Sequence, residues 1–228
     1  MAMLKAVLFD LDGTLVDSLP EIYHGVCETC RRLKLTPPSK EAVAAMIGRG
    51  VVVLVERLKR HLAVPDSVAT EREMLDILVE EWDKTKGEMI DFYPGTLEGI
   101  RELREKGIRT ALVTNKLRSL TVEFVKARGI EELFDTIVAG DDCKKAKPAP
   151  DMLLRAMDEI GVSAESVVMV GDSRNDALAA RAAGVTAVLV ETGYNEGVGI
   201  GEWAREAGFN RLYPSVRQFS RAVVSGRF

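Results

Sequence analysis

Acidic residues follow two apolar runs of the sequence, at positions where buried strands would end. Lys5–Phe9 leads into Asp10 and Asp12, and Val167–Val170 leads into Asp172. Several carboxylates brought to one place cannot all stay ionised without a cation. Oxygen ligands favour a hard ion, and Mg²⁺ binds one or two carboxylates together with a substrate phosphate. The pattern therefore predicts an Mg²⁺ site.

The spacing of the first pair also indicates a reaction. Asp10 and Asp12 stand two residues apart on an extended chain, so both side chains can face the same side. One carboxylate could attack a phosphorus atom and form an aspartyl-phosphate, while the other transfers protons. We expect Thr114 and Lys147 to hold the phosphoryl oxygens, with Mg²⁺ neutralising the developing charge.

Short strands alternate with helices that are closed by glycine through most of the chain. The predicted strands are Lys5–Phe9, Arg109–Val113, Thr136–Ala139, Val167–Val170 and Ala187–Val190. The predicted helices are Thr96–Lys106, Leu120–Arg128, Pro150–Ile160 and Asp176–Ala183. This alternation is typical of a parallel sheet covered by helices on both faces. We predict an α/β fold, a Rossmann-like doubly wound parallel sheet, whose ligands bind beyond the carboxyl ends of the strands.

Residues 18–91 differ in character, because they show helical periodicity and no convincing strand. We predict that they form an all-helical domain inserted into an α/β core domain made of residues 1–17 and 92–228. Two adjacent linkers, near Asp17-Ser18 and near Asp91–Pro94, are what a hinged lid needs.

The acidic motifs, taken in order, resemble those of the haloacid dehalogenase superfamily over nearly the whole chain. The four motifs correspond to Asp10–Thr14 (DLDGT), Thr114, Lys147 and Gly171–Asp176 (GDSRND). The helical insertion stands where that family has its C1-type cap domain. The resemblance therefore implies the superfamily's α/β core, a helical cap and hydrolase chemistry.

The same resemblance implies a role for each motif residue. Asp10 is similar to the family's nucleophile and Asp12 to its general acid/base. Asp10, the backbone carbonyl of Asp12, and Asp172 are similar to the Mg²⁺ ligands. The phosphate-binding positions are Thr114, Asn115 and Lys147, and the positions around the metal or its waters are Ser173 and Asp176.

Within the superfamily, the chain resembles phosphoglycolate phosphatases most. The shared segments are Val113–Lys116 (VTNK), GDSRND, Gly193–Gly197 (GYNEG) and Arg211–Ser215. Dehalogenases and phosphonatases lack an acid at the position of Asp12, and β-phosphoglucomutases have a glutamate where this chain has Gly171. Other small phosphomonoesters, including sugar phosphates and nucleotides, and pyrophosphate remain alternative substrates.

A phosphoacceptor regulatory module is the alternative from a different class. Receiver domains also place an Asp, a Thr and a Lys at strand ends, but they lack the second acid and are about half this length. Turn formation and helix capping are the structural alternatives for individual motif residues. The joint occurrence of the motifs favours the enzyme.

A small substrate offers little area for binding, so the enzyme must recognise it by the charge at the end opposite the phosphoryl group. In phosphoglycolate this end is a carboxylate. A guanidinium suits a carboxylate, and Arg49 stands between two glycines in a loop of the helical domain. We predict that Arg49 helps to recognise the substrate from the side of the helical domain. Lys116 and Arg174, beside the core motifs, are the alternative candidates.

Composition limits the partners of the protein. The net charge of −4 gives no basic face for nucleic acid, and no apolar run approaches the ~20 residues of a membrane span. The short, acidic N-terminus does not resemble a signal peptide, and three cysteines are typical of a reducing compartment. We expect a cytoplasmic monomer or homodimer whose partner is a small phosphate ester.

Cys27 and Cys30 are interpreted as helix packing residues rather than as a redox or zinc site.

Overall fold

The structure is a computed structural model, which describes residues 3–228. Its main feature is a sheet of six strands, all paired in parallel. The strands are β1 (Ala6–Phe9), β4 (Arg109–Val113), β5 (Thr136–Val138), β6 (Val167–Gly171), β7 (Thr186–Val190) and β8 (Leu212–Tyr213). Their order across the sheet is β5-β4-β1-β6-β7-β8. β1 therefore lies at the centre, where the chain reverses its direction of winding.

Helices cover both faces of this sheet. They are α5 (Thr96–Glu105), α6 (Arg118–Ala127), α7 (Asp151–Glu159), α8 (Arg174–Ala182), α9 (Ile200–Glu206) and α10 (Val216–Val224). Alternate residues of β1 belong to opposite apolar cores: Val7 and Phe9 lie in the core with α5, α6 and α10, whereas Leu8 lies in the core with α7 and α8. Burial on both faces explains why the central strands β1 and β6 are continuously apolar. The predicted α/β fold class is confirmed.

Four consecutive helices, which we call the helical insert, separate β1 from the rest of the sheet. They are α1 (Leu19–Arg32), α2 (Lys40–Ala44), α3 (Gly50–His61) and α4 (Glu71–Thr85). The insert has an apolar core of its own, in which Val26, Cys30, Leu58 and Leu78 are fully buried. Burial raises the pKa of the Cys30 thiol to about 11, so this thiol is a packing group rather than a reactive thiolate.

The two chain crossings between the sheet and the insert pair with each other. β2 (Val16–Asp17) and β3 (Asp91–Phe92) form an antiparallel ribbon of two strands. Tyr93 follows β3, and its hydroxyl donates a hydrogen bond to the carbonyl of Thr192, at 2.7 Å. The linkers are therefore tied both to each other and to a loop of the sheet.

Several elements differ from the sequence predictions. α8 begins at Arg174 rather than at Asp176, because Ser173 caps the helix and Asp176 completes the capping box from the third helical position. β8, α9 and α10 were not predicted from the sequence. Within residues 3–228, no helix combines the length and apolarity needed to cross a membrane.

Candidate active site

The site lies beyond the carboxyl ends of the central strands, where adjacent elements bring distant residues together. Asp10 follows β1, and Asp172 follows the neighbouring strand β6. Lys147 lies in the segment between β5 and α7, and Asp176 lies in the first turn of α8. Oxygens of the three aspartates lie within 4.8 Å of one another. The convergence predicted from the motifs is therefore present.

Lys147 supplies the positive charge inside this cluster. Its Nζ lies 2.9 Å from Oδ1 of Asp10 and 2.6 Å from Oδ1 of Asp176, and it donates to the carbonyl of Val113 at 2.7 Å. Burial alone would lower the pKa of Lys147, but the two carboxylates outweigh burial and raise it. Lys147 therefore remains protonated and fixed, with an ammonium group next to Asp10.

The carboxylates nevertheless outnumber the lysine. Burial, together with the neighbouring acids, raises the pKa of Asp10 to about 8 and that of Asp172 to about 7, although Lys147 opposes the shift of Asp10. Three buried acids beside one ammonium make a set of hard oxygen donors that can all be ionised at neutral pH only when a cation adds positive charge. A divalent cation with oxygen ligands fits this set.

Close backbone packing orients Asp172. The Thr14 hydroxyl donates to Oδ1 and the amide of Tyr194 donates to Oδ2, both at 2.9 Å. A Cβ at Gly193 would lie 1.8 Å from Oδ2, and one at Gly13, which has φ +88°, would lie 2.5 Å from it. Both glycines are required for the two loops to enclose the carboxylate.

Asp176 is held through both of its oxygens. Oδ1 accepts from Lys147, and Oδ2 accepts from the hydroxyl of Ser173 at 2.7 Å and from its amide at 3.1 Å. These bonds occupy both carboxylate oxygens of Asp176, a member of the three-aspartate cluster, with protein donors. The arrangement is compatible with the predicted outer position of Ser173 and Asp176.

Asp12 does not belong to the three-aspartate cluster. Its Oδ1 accepts a hydrogen bond from Nζ of Lys116 at 3.3 Å. The Asp12 side chain also lies beside residues of the helical insert, and a metal contact through its backbone carbonyl stays a prediction.

The residues after β4 differ in what they contact. Thr114 is buried, and its hydroxyl accepts from the amide of Lys116 at 3.2 Å. The Asn115 side chain exchanges two hydrogen bonds of 2.9 Å with the backbone of Lys147 and donates to the carbonyl of Gly48 at 3.0 Å. Asn115 therefore braces Lys147, and phosphate binding by Asn115 stays a prediction.

A small cavity of about 40 Å³ separates the insert from the sheet. Asp12 and Lys116 are its charged residues, and its apolar walls include Ile22, Leu54 and Trp82. Lys116 places Nζ 5.9 Å from the centre of the Trp82 ring, and its side chain is only 10% exposed. The cavity therefore combines one buried cation with walls that suit a small ligand.

The three candidate specificity residues occupy different environments. Lys116 lines the cavity, whereas the side chain of Arg174 binds Glu196. Arg49 precedes α3, is exposed, and makes no side-chain hydrogen bond or salt bridge within residues 3–228. The structure thus brings Lys116, and not Arg49, next to the catalytic candidates.

Sequence reasoning gave no role to several residues around the site. Tyr194 and Glu196 lie in the GYNEG segment, Arg57 lies on α3 and Trp82 on α4. Two glycines around an acidic residue in GYNEG were a usable signal for a structured loop. Arg57 and Trp82 carried no signal, because they look like ordinary members of amphipathic helices.

Comparisons with known proteins identify the family of the chain. The model of the family "Haloacid dehalogenase-like hydrolase" matches residues 7–190. A phosphoglycolate phosphatase of Nitrosospira multiformis is 36% identical over 221 residues, which cover 96% of this chain and 97% of the relative. One of Escherichia coli O157:H7 is 34% identical over 215 residues, which cover 86% and 85%.

Solved structures show the same architecture. A predicted phosphoglycolate phosphatase from Haemophilus somnus 129pt superposes with a TM-score of 0.89 at 25% identity, covering 97% of this chain and 98% of the other. CbbY from Rhodobacter sphaeroides, in complex with phosphate, gives a TM-score of 0.80 at 27% identity and covers 95% and 96%. These relatives support the prediction of a phosphatase. The chain belongs to the haloacid dehalogenase-like hydrolase family.

Proposed function

We propose that this protein is an Mg²⁺-dependent phosphomonoester hydrolase that converts 2-phosphoglycolate into glycolate and phosphate. The observation that carries the proposal is the buried cluster around Lys147, which combines a candidate nucleophile with a donor set for a divalent cation. The similarity to phosphoglycolate phosphatases over most of the chain supports the choice of substrate.

Asp10 is the proposed nucleophile. Its carboxylate attacks phosphorus to form an aspartyl-phosphate, while the carboxyl group of Asp12 protonates the departing ester oxygen. Asp12 then accepts a proton from the water that attacks the same phosphorus, so that phosphate leaves and Asp10 is restored. Thr114 and Lys147 hold the phosphoryl oxygens through both steps, with Asn115 assisting from beside Lys147.

The metal would be held by the carboxylates of Asp10 and Asp172 and by the backbone carbonyl of Asp12. When bound, Mg²⁺ supplies positive charge that offsets the negative charge of the phosphoryl group. Ser173 and Asp176 keep Asp172 and Lys147 in place from the first turn of α8.

We further propose that residues 18–91 act as a cap domain that opens for substrate entry and closes for reaction. The paired linkers β2 and β3 give this motion a single hinge. In this proposal the protein works in the cytoplasm as a monomer or homodimer and binds neither nucleic acid nor membrane.

The cavity beside Asp12 favours a small, acidic leaving group. Its size and its one buried cation suit the two carbons and the carboxylate of glycolate. A mutase of the β-phosphoglucomutase type is disfavoured, because a Cβ at Gly171 would lie 2.2 Å from Cγ of Asp176 and leaves no room for a glutamate there. Sugar phosphates, nucleotides and pyrophosphate are the competing substrates.

The test is a comparison of kcat/KM over a panel of small phosphate esters and pyrophosphate with Mg²⁺. We expect kcat/KM for 2-phosphoglycolate to exceed that for the other compounds by about tenfold or more, which corresponds to ~1.4 kcal/mol. A higher kcat/KM for a sugar phosphate or a nucleotide would contradict 2-phosphoglycolate as the substrate.

The metal requirement is tested separately. EDTA should abolish turnover, and Ca²⁺ should not restore it, because its longer bonds and higher coordination number would move Asp10 out of line. Full turnover in EDTA would contradict the requirement for a metal. Release of only one equivalent of phosphate would indicate a regulatory phosphoacceptor instead.

A further inference from the structure

Glu196 joins the sheet to the helical insert through a pair of arginines. It lies in the loop between β7 and α9, and its carboxylate is only 5% exposed. One oxygen binds Arg57 of α3, and the other binds Arg174 of α8. Burial would raise the pKa of Glu196, but the two guanidinium groups lower it, so the carboxylate is ionised at neutral pH. The bridge therefore spans the boundary between insert and sheet.

Arg57 extends this bridge to the loop that faces the site. It donates a second hydrogen bond, of 3.1 Å, to the carbonyl of Met46, in the segment that joins α2 to α3. Two residues later, the carbonyl of Gly48 accepts from the side-chain Nδ2 atoms of Asn115, at 3.0 Å, and Asn175, at 3.4 Å. The segment 46–49 is thus fixed over the strand ends from two directions.

The backbone around Glu196 adopts a conformation that other residues must enforce. Asn195 has φ +35° and Glu196 has φ +53°, in the left-handed region that non-glycine residues avoid. Asn195 is held by its side chain, which accepts from the amide of Arg174 and donates to the carbonyl of Val198, both at 2.9 Å. Such conformations persist where the surroundings determine them. Here the outcome is that the carboxylate points between the two arginines.

Tyr194, in the same loop, contacts both the acidic cluster and the hinge. Its amide donates to Asp172, and its hydroxyl donates to Oδ1 of Asp17 at 2.6 Å. The hydroxyl also accepts from the amides of Ser18 and Leu19, where α1 begins. The loop 194–196 therefore connects the candidate metal ligand, the linker and α3.

We infer that Glu196 is a positioning residue, which holds the segment 46–49 over the site through Arg57 and so stabilises the closed position of the helical insert. This inference rests on the proposed phosphatase function for its kinetic test, but not for its fluorescence test. Glu196 does not touch the reacting atoms.

The chain offers a matched control in Glu81. Its side chain is 8% exposed and binds two cations, Arg32 at 2.9 Å and Lys84 at 2.7 Å, but all three residues lie within the insert. Loss of the Glu81 charge removes a comparable buried ion pair without touching the boundary between insert and sheet.

The kinetic test compares Glu196→Gln, Arg57→Met and the double variant. When the closed position of the insert is less populated, the apparent affinity for substrate falls, while the reaction rate of the closed complex is unchanged. We therefore expect KM for 2-phosphoglycolate to rise about tenfold, with kcat changed less than about threefold. The double variant should match Arg57→Met, since Glu196 acts on the segment 46–49 only through Arg57. Glu81→Gln should leave KM unchanged. An unchanged KM in Glu196→Gln, or additive losses in the double variant, would overturn the inference.

The second test measures closure without turnover. Trp82 belongs to the insert wall of the cavity, whereas Trp203 stacks on Phe209 away from it, so a Trp203→Phe background leaves Trp82 as the reporter. In this background we expect Glu196→Gln to raise the Stern–Volmer constant for acrylamide about twofold. Asp135→Asn, which breaks an ion pair with Arg104 in the sheet domain, is the control and should not change it. Equal quenching in both variants would show that Glu196 has only a local structural role, whether or not the protein hydrolyses phosphoglycolate.

Discussion

At the scale of single residues, the proposed mechanism gives Asp10 two roles, since a nucleophile needs a free electron pair and a metal ligand needs a negative charge. Its position between Lys147 and two further acids meets both needs. Lys147 keeps an ammonium group 2.9 Å from Asp10, and the neighbouring acids supply the remaining oxygens for a cation. The role of Asp10 can be tested by removing its charge while keeping its shape.

Asp10→Asn should retain the fold and lose at least about 10³-fold in kcat, because the amide cannot attack phosphorus. The measurement is steady-state phosphate release, with circular dichroism to verify the fold. Asp135→Asn changes a partly buried aspartate outside the site and should keep the wild-type rate. An Asp10→Asn enzyme with a tenth of the wild-type rate would contradict the covalent mechanism.

Single side chains also decide how the carboxylate of the proposed substrate is bound, and two candidates are Lys116 and Arg49. Lys116→Met should raise KM for 2-phosphoglycolate about tenfold or more, because a buried cation beside Asp12 is lost, and should change KM for p-nitrophenyl phosphate much less. If Arg49 turns inward on substrate binding, as the sequence prediction requires, Arg49→Ala will show the same selective loss. Equal losses on both esters would exclude a carboxylate-reading role for the variant concerned.

At the scale of elements, the position of Asp172, a proposed metal ligand, depends on two loops that approach it closely through glycines, Gly13 and Gly193. Gly193 lies so near Asp172 that an added methyl group must displace the carboxylate. The displacement would act on the metal ligand and leave the strands β6 and β7 intact.

Gly193→Ala should therefore raise the Mg²⁺ concentration needed for half-maximal activity by about tenfold or more, the size of effect expected when the support of a ligand is lost. The measurement is activity against Mg²⁺ concentration. Gly199→Ala is the matched control, because a Cβ there meets no atom within 4 Å. Equal Mg²⁺ requirements in the two variants would show that Asp172 is not a ligand.

The elements also show what could be predicted from the sequence. Arg109–Val113 was predicted with its observed bounds, because it follows a helix that ends at glycine, and its buried apolar residues Ala111–Val113 lead into the polar Thr114. β8 was missed, since two half-buried residues, Leu212 and Tyr213, have no periodicity. The short pairing of β2 with β3 was missed for the same reason.

In the site, too, some contacts could be predicted from the sequence and others could not. Asp10, Lys147 and Asp172 could be predicted to converge, because parallel topology places consecutive strand ends together. The contacts of Glu196 with Arg57 and of Trp82 with Lys116 depend on how the insert packs on the sheet. That packing is set by side-chain shape across a boundary that leaves no local pattern in the sequence.

At the scale of the whole molecule, the acidic cluster makes the stability of the fold depend on pH. In the absence of metal, burial and neighbouring acids raise the pKa of Asp10 from 3.8 to about 8 and that of Asp172 to about 7. Between 3.8 and these values, the folded protein binds protons that the unfolded chain has lost. The contribution of these groups to stability is therefore greatest at low pH and decreases as the pH rises to about 8.

A bound cation replaces those protons, so Mg²⁺ should stabilise the protein more at higher pH. We expect the rise in Tm on adding about 10 mM Mg²⁺ to be at least about 3 °C larger near pH 8 than near pH 6. Differential scanning fluorimetry in EDTA and in Mg²⁺ gives both values. Asp172→Asn removes one ligand and one titrating group, so its Mg²⁺-dependent rise should be small and nearly independent of pH. A rise in Tm that is the same at both pH values in the unmodified protein would contradict binding of the metal at these carboxylates, because a cation held there must compete with their protons.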